Sequence, residues 1–173
     1  MRDGFEELFR SHHAAVRRFA TRRVGAAAAD DIVASTFELA LHRLPARHPH
    51  PTGWLFRAAD NLCKAEVTRQ AREIRMLRDA GVIADTEVDA ADSDVDVLLR
   101  LLEMLPAAQR EVLQLTYWDR LSAADVGVVL GCSVPAVWKR ISRAKAMLRA
   151  AWPAPDDRDT WEEMVTVGRA DDH

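Results

Sequence analysis

Between Ala136 and Ala150 stand five cations, Lys139, Arg140, Arg143, Lys145 and Arg149, and no acid. Ammonium and guanidinium groups packed this densely suit a polyanion. They neutralise phosphates, and arginine can also pair through two parallel hydrogen bonds with the major-groove edge of guanine. The chemistry is recognition of nucleic acid, with no bond made or broken. Ser133, Ala136, Lys139, Arg140 and Arg143 are the residues that would turn toward a major groove. Arg140 and Arg143 are best able to make bidentate contacts, and Lys145 adds charge.

Such a row needs a rigid support, and Leu121 to Leu148 reads as one: two helices joined by a tight turn. Ser122 can cap a first helix carrying Val126, Val129 and Leu130. Gly131 and Cys132 make the turn, since glycine tolerates the left-handed conformation of a helix exit. Ser133 then caps a second helix in which Val134, Val137, Ile141, Ala144 and Leu148 recur at steps of three and four, so one face is apolar and the cations lie elsewhere. Gly127, costly in a helix interior, suggests close approach of the two helices. An ordinary helical hairpin with a solvated basic face shares this periodicity, but the coincidence of caps, turn and charge asymmetry favours a DNA-binding helix-turn-helix.

The 173 residues allow one domain or two small ones, and 49% apolar residues suffice for buried cores. Seven glycines, one tyrosine and no alternating β-branched run favour an all-helical chain. No apolar stretch approaches the roughly 18 residues that span a bilayer, and charged residues follow Met1, so no membrane insertion and a cytoplasmic protein are expected. Cys63 and Cys132 lie too far apart for a disulfide framework or zinc spacing. The net charge of −3 hides a segregation: residues 57–78 hold six bases and three acids, whereas 79–96 hold seven acids and no base. There is no phosphate-cradling glycine loop, metal-ligand cluster or nucleophile-base pair at a telling spacing, so neither an enzyme, nor a metal, nor any cofactor is expected.

In chain order, Asp3 to about Val24 reads as an amphipathic helix ended by Gly25, and about Ala27 to Leu44 as a second, with Asp30 and Asp31 in its first turn. Pro45, Pro49 and Pro51 impose a cationic loop around Arg43, Arg47 and the histidines; His48 and His50 lack a third metal ligand. Thr52 can cap a third helix reaching about Leu77, with Trp54, Leu55, Ala58, Leu62, Ala65 and Ile74 inward. The acidic stretch 79–94 reads as a linker, Val95 to Leu105 resumes helix, and Pro106 opens another helix through Trp118. The tail from Pro153 is acidic and reads as a flexible end.

Three ordered segments resemble sigma factors of the extracytoplasmic-function type, in the sigma-70 family. DDIVASTFELALHRL at Asp30 to Leu44 looks like the family's polymerase-docking segment. GWLFRAADNLCKAEVTRQAR at Gly53 to Arg72 is similar to its −10 segment, and LPAAQREVLQLTYWDRLSAADVGVVLGCSVPAVWKRISRAKAMLR at Leu105 to Arg149 to its −35 module. The resemblance implies an all-α protein of two small helical domains: a sigma region 2 bundle at 1–78 and a region 4 helix-turn-helix at 95–152. The acidic linker 79–94 joins them and the tail 153–173 follows.

The implied partners are core RNA polymerase, promoter DNA and an anti-sigma factor. The implied polymerase contacts are Asp30, Asp31, Val33, Thr36 and Phe37. For the −10 element, an unstacked base needs an aromatic wall and cations, which suggests Arg43, Arg47, His48, Trp54, Arg57 and Asn61, with Lys64 and Arg69 farther along the helix. For Trp54 core packing is the stronger reading, since aromatic residues at helical spacing usually pack. The −35 set is the row already named, Ser133, Ala136, Lys139, Arg140, Arg143 and Lys145. Ala34 and Ser35 depart from the docking segment's usual Gln and Glu, and Pro135 replaces a common glycine. Trp138 stands where the family commonly carries a small polar or basic residue; a broadened core and a DNA or partner contact both fit. The rival to the sigma reading is a free-standing helix-turn-helix repressor with an N-terminal dimerisation or sensor domain.

Overall fold

A single glycine separates the first two helices. In the computed structural model, which describes residues 2–80 and 100–151, α1 runs from Arg2 to Val24 and α2 from Ala26 to Arg43. Gly25 between them has φ 82°, a left-handed conformation that suits a residue without Cβ, and its N–H donates to the Thr21 carbonyl at 3.0 Å. Because α2 starts at Ala26, Asp30 and Asp31 fall in its second turn, where the helix dipole acts on them less than the expected first-turn placement implied.

After a loop, α3 spans Pro51–Asp79. Pro51 occupies the first helical turn, where its missing N–H costs nothing. Thr52 is therefore inside the helix and does not cap it; its hydroxyl meets His12 Nε2 at 3.0 Å, tying the start of α3 to α1. The connecting loop is braced by its own hydrogen bonds, His48 N–H to the Pro45 carbonyl and His50 N–H to His48 Nδ1.

The chain divides into two compact units, one carrying α1 to α3. These three helices pack pairwise around Val16, Phe19, Ile32, Leu55, Phe56 and Ala59, all buried. Phe19 and Phe56 meet edge to face with centroids 5.2 Å apart, and Phe9 of α1 tilts against Phe37 of α2 at 4.7 Å. One carboxylate is inside this core. Asp60 is 2% exposed; its oxygens lie 3.5 Å from Arg23 Nε and 2.6 Å from Lys64 Nζ, and the Arg23 guanidinium also sits 3.7 Å above the Phe19 ring.

The 29 residues of α3 extend about 43 Å at 1.5 Å per residue, against about 34 Å for α1, so about its last six residues outrun the bundle. Residues 71–80 are all exposed. Ile74, expected to face inward, is exposed for this reason, to 45%; Ala65, also expected inward, is exposed because it lies on the face away from Leu55, Phe56, Ala59 and Cys63, while Gln70 farther along still bonds the Val24 carbonyl at 3.1 Å. Cys63, on the inward face of the bundled part of α3, is buried, and loss of solvent pushes its thiol up to about 11, with Arg23 opposing the shift and Asp60 adding to it. At pH 8 almost no thiolate is present there. Iodoacetamide should therefore leave Cys63 unmodified in the folded protein and label it once urea unfolds the chain, read by peptide mass spectrometry.

In the second unit, helical residues 100–104 lead to Pro106, α4 spans Ala107–Leu113, α5 Ala123–Leu130 and α6 Val134–Ala151. Pro106 is extended, with ψ 143°, and precedes α4 instead of lying within it. The helix expected to continue regularly to Trp118 widens at Gln114–Trp118 into a π turn, closed by the bond from Asp119 N–H to the Gln114 carbonyl at 3.0 Å. Arg120 then takes a left-handed φ of 54° and turns the chain toward α5. α4 packs on α6, and Leu102, Leu105, Val112, Leu113 and Leu115 join the α6 residues Val137, Ile141, Ala144 and Leu148 among the buried side chains. Among the described residues all regular elements are helical, and no helix is long and apolar enough to cross a membrane.

Candidate nucleic-acid interface

The turn between α5 and α6 is built as its residue types suggest. Ser122 Oγ accepts from Asp125 N–H at 3.1 Å, capping α5, and Gly131 leaves it with φ 63°. The Ser133 carbonyl accepts from Val137 N–H at 3.0 Å as α6 begins. Gly127 makes its close approach to the turn more than to the facing helix: a Cβ there would lie 2.7 Å from the Cys132 carbonyl oxygen and 3.9 Å from Val137 Cγ2. Backbone cannot step aside as a side chain can. Gly127→Ala should therefore destabilise the second unit by about 1–3 kcal/mol despite alanine's better helix propensity, read from urea unfolding.

On α6, Val137, Ile141, Ala144 and Leu148 form the buried stripe. With about 100° per residue, Lys139 lies opposite that stripe and Arg143 stands next to Lys139 on the same outer side, and both are exposed. Ser133 is also exposed, while Ala136 and Arg140 are half-buried on one flank. Lys145 falls on the other flank. It is half-buried, with its Nζ 5.3 Å from the Tyr117 ring centroid, so part of its charge is used within its own unit. Val134, expected in the apolar stripe, is 39% exposed, and Trp138 is 56% exposed. The indole thus lies outside the core, which removes the broadened-core reading.

In the first unit, a cleft of about 320 Å³ between α2 and α3 is lined by Leu39, Arg43, Trp54, Arg57, Ala58, Asn61 and Leu62. Four of the eight residues expected to engage a −10 element are thereby brought together: two guanidinium groups, an amide and a half-buried indole. Their spacing explains it, since Trp54, Arg57, Ala58 and Asn61 recur at three and four along one face of α3. His48 is elsewhere, lining a larger groove of about 800 Å³ with Leu8, His12, Leu41, Leu44 and Pro45. Arg47 is exposed on the loop.

Lys64 and Arg69 are engaged with acids of their own helix: Lys64 with Asp60, and Arg69 with Glu66 at 2.7 Å and Glu73 at 3.0 Å. Those two carboxylates raise the Arg69 pKa, and the bond to Arg69 lowers that of Glu66. Arg69 with its two acids carries a net negative charge, which suits a phosphate poorly.

The residues implied as polymerase contacts separate into two groups. Asp30 and Asp31 are exposed on α2, and Asp30 pairs with Arg17 Nε of α1 at 2.8 Å, which raises the arginine's pKa. Val33, Thr36 and Phe37 are core residues, at most 4% exposed, and the Thr36 hydroxyl donates to the Ile32 carbonyl. In this packing they shape α2 and offer no side chain to a partner. No group of three or more His, Cys, Asp or Glu among the described residues could hold a metal ion.

Both units match known families. Residues 8–73 match Sigma-70 region 2, and residues 96–148 match Sigma-70 region 4. The chain is similar to the ECF RNA polymerase sigma factor EcfG of Rhodopseudomonas palustris, 28% identical over 126 residues covering 70% of each chain. It is similar also to the RNA polymerase sigma factor CnrH of Cupriavidus metallidurans, 33% identical over 144 residues and 75% of each. The sigma factor RpoE of Bartonella quintana, solved with the anti-sigma factor NepR, shares the fold with a TM-score of 0.60 at 24% identity, over 87% of this chain and 97% of that one. With a region 2 bundle followed by a region 4 helix-turn-helix, this chain belongs to the sigma-70 family and is a sigma factor of the extracytoplasmic-function type.

Proposed function

We propose that the chain binds core RNA polymerase through its first unit and directs initiation by gripping a promoter twice. The −10 element is opened and held at the α2–α3 cleft, and the −35 duplex is read by α6. The cleft carries this reading, because a protein that only bound duplex DNA would have no use for an indole beside two guanidinium groups and an amide in a space of about 320 Å³. An unstacked base gains about 1–3 kcal/mol by stacking on an aromatic ring, and cations beside it hold the phosphates of the separated strand. Arg43, Trp54, Arg57 and Asn61 take these roles; Arg47 and His48 meet the strand from the loop.

The polymerase contact rests on Asp30 and Asp31, the exposed members of the α2 set. The working domains are 1–78 and 95–152, joined by an acidic linker. An anti-sigma partner that holds the protein inactive is supported by the likeness to a sigma factor solved with one. The protein works where the polymerase is, in the cytoplasm, and does no chemistry of its own.

The test of the cleft is strand opening. With 2-aminopurine placed in the −10 region, wild-type protein on core polymerase should give the fluorescence rise of an unstacked base. Arg57→Ala and Asn61→Ala should each lower the opened fraction at least about fivefold, the equivalent of ~1 kcal/mol. Normal opening by both variants would remove the cleft from the mechanism.

A further inference from the structure

Trp138 is the fifth residue of α6 and leaves 56% of its surface in solvent, with Val134, one turn earlier, 39% exposed. An exposed indole and an exposed valine four residues apart make a small apolar strip on the first turns of a helix that otherwise carries five cations and no acid. Resting on the reading of α6 as the −35 helix, we infer that Trp138 is a specificity residue, whose indole packs against the 5-methyl group of a thymine in the major groove.

Three observations lead there. The first turns of a recognition helix are the part that meets base edges, and Trp138, the fifth residue of α6, stands in the second of them. Its neighbour Lys139 is exposed, so the apolar strip borders positive charge that complements a phosphate backbone and would repel a basic protein surface. Finally, an indole has one N–H donor and no acceptor, so it cannot make the bidentate pairs by which arginine or asparagine selects guanine or adenine. What it offers is an apolar face, and the apolar group on a base edge in the major groove is the thymine methyl. The cations position the helix; the indole adds a preference for thymine at one step of the site.

The test uses full-length protein on core polymerase and DNA selected from duplexes randomised across the upstream element. Wild-type protein should select a position where thymine is preferred, and uracil there, which lacks only the methyl, should weaken binding about three- to fourfold. Trp138→Ala should lose the thymine preference and the difference between thymine and uracil at that position, with preferences at other positions and the unfolding midpoint unchanged. Trp138→Phe, which keeps an apolar ring, should retain the discrimination.

The inference is overturned if Trp138→Ala discriminates thymine from uracil as wild type does, if it weakens all sequences equally, or if no selected position prefers thymine. Lys139→Ala with Arg143→Ala separates the two levels of the argument. If this double variant alters upstream selection and Trp138→Ala does not, the indole alone is misassigned. If neither alters selection, α6 is not the reading helix and the underlying assignment fails with the inference.

Discussion

Replacing Asp60 by alanine should lower the stability of the first unit by about 3 kcal/mol, the lower end of the range for breaking a buried ion pair. The Asp60 side chain is 3% exposed and that of Arg23 16%, so the substitution removes the buried carboxylate from beside a cation with little access to water. Lys64, whose side chain is 64% exposed, can return to solvent at small cost. The contact of Arg23 with the Phe19 ring persists in the variant, which is why the loss falls near the lower end. Asp60→Asn keeps the shape and an acceptor but not the charge, and should lose about half as much. Joint replacement of Asp60 and Arg23 by leucine and methionine should recover most of the loss, because two well-packed apolar groups can replace a buried pair without penalty. The urea midpoint of the full chain's first transition reads all three. A loss under about 1 kcal/mol for Asp60→Ala would mean that the carboxylate is not a structural centre of this core.

Lys139→Ala and Arg143→Ala should each weaken use of the upstream promoter element by about 1–3 kcal/mol, roughly 5- to 150-fold, if the side chain reads a base. Both stand away from the buried stripe and are exposed, so neither change should disturb folding. The salt dependence distinguishes two roles. A side chain that touches only phosphate lowers the salt slope by about 1 and weakens all sequences alike, whereas a base-reading one relaxes the choice at a single position. Lys145→Ala should have a smaller effect on DNA than either, because Lys145 sits against Tyr117. Equal losses for all three cations would contradict the division of α6 into a reading side and a supporting flank.

Much of this arrangement was legible in the chain because its signals are local. Gly25, Gly131 and Ser122 act through the backbone of their own turns, so residue type alone placed them, and the stripe Val137, Ile141, Ala144 and Leu148 follows from helical period. What depended on distant partners was less legible. Ile74 has the spacing of a core residue, but the length of α3 relative to its neighbours leaves it in solvent. Val134 likewise keeps the period of the stripe at a helix end that the core does not reach.

Thr36 and Phe37 belong to the segment whose likeness implied docking, yet the face they occupy is the one α2 needs for packing. Asp60 was missed although a signal existed: it follows Ala59 and lies four residues after Phe56, on the inward face of α3, and a charge at an inward position calls for a partner. The π turn at Gln114–Trp118 has no comparable signature, since no residue type in QLTYW marks a widening of the helix. The cleft residues were each named from the chain, but only folding shows that Arg43 joins Trp54, Arg57 and Asn61 while His48 faces a different groove.

Run-off transcription with core RNA polymerase over a library of genomic fragments reads out whether this chain confers promoter specificity on polymerase. Discrete transcripts should appear only when the protein is added, start downstream of an upstream element and a −10 element, and decline when Arg143 is replaced by alanine. Absence of promoter-dependent initiation from every fragment, with tight duplex binding by the protein in the absence of polymerase, would contradict that role and indicate a free-standing DNA-binding regulator.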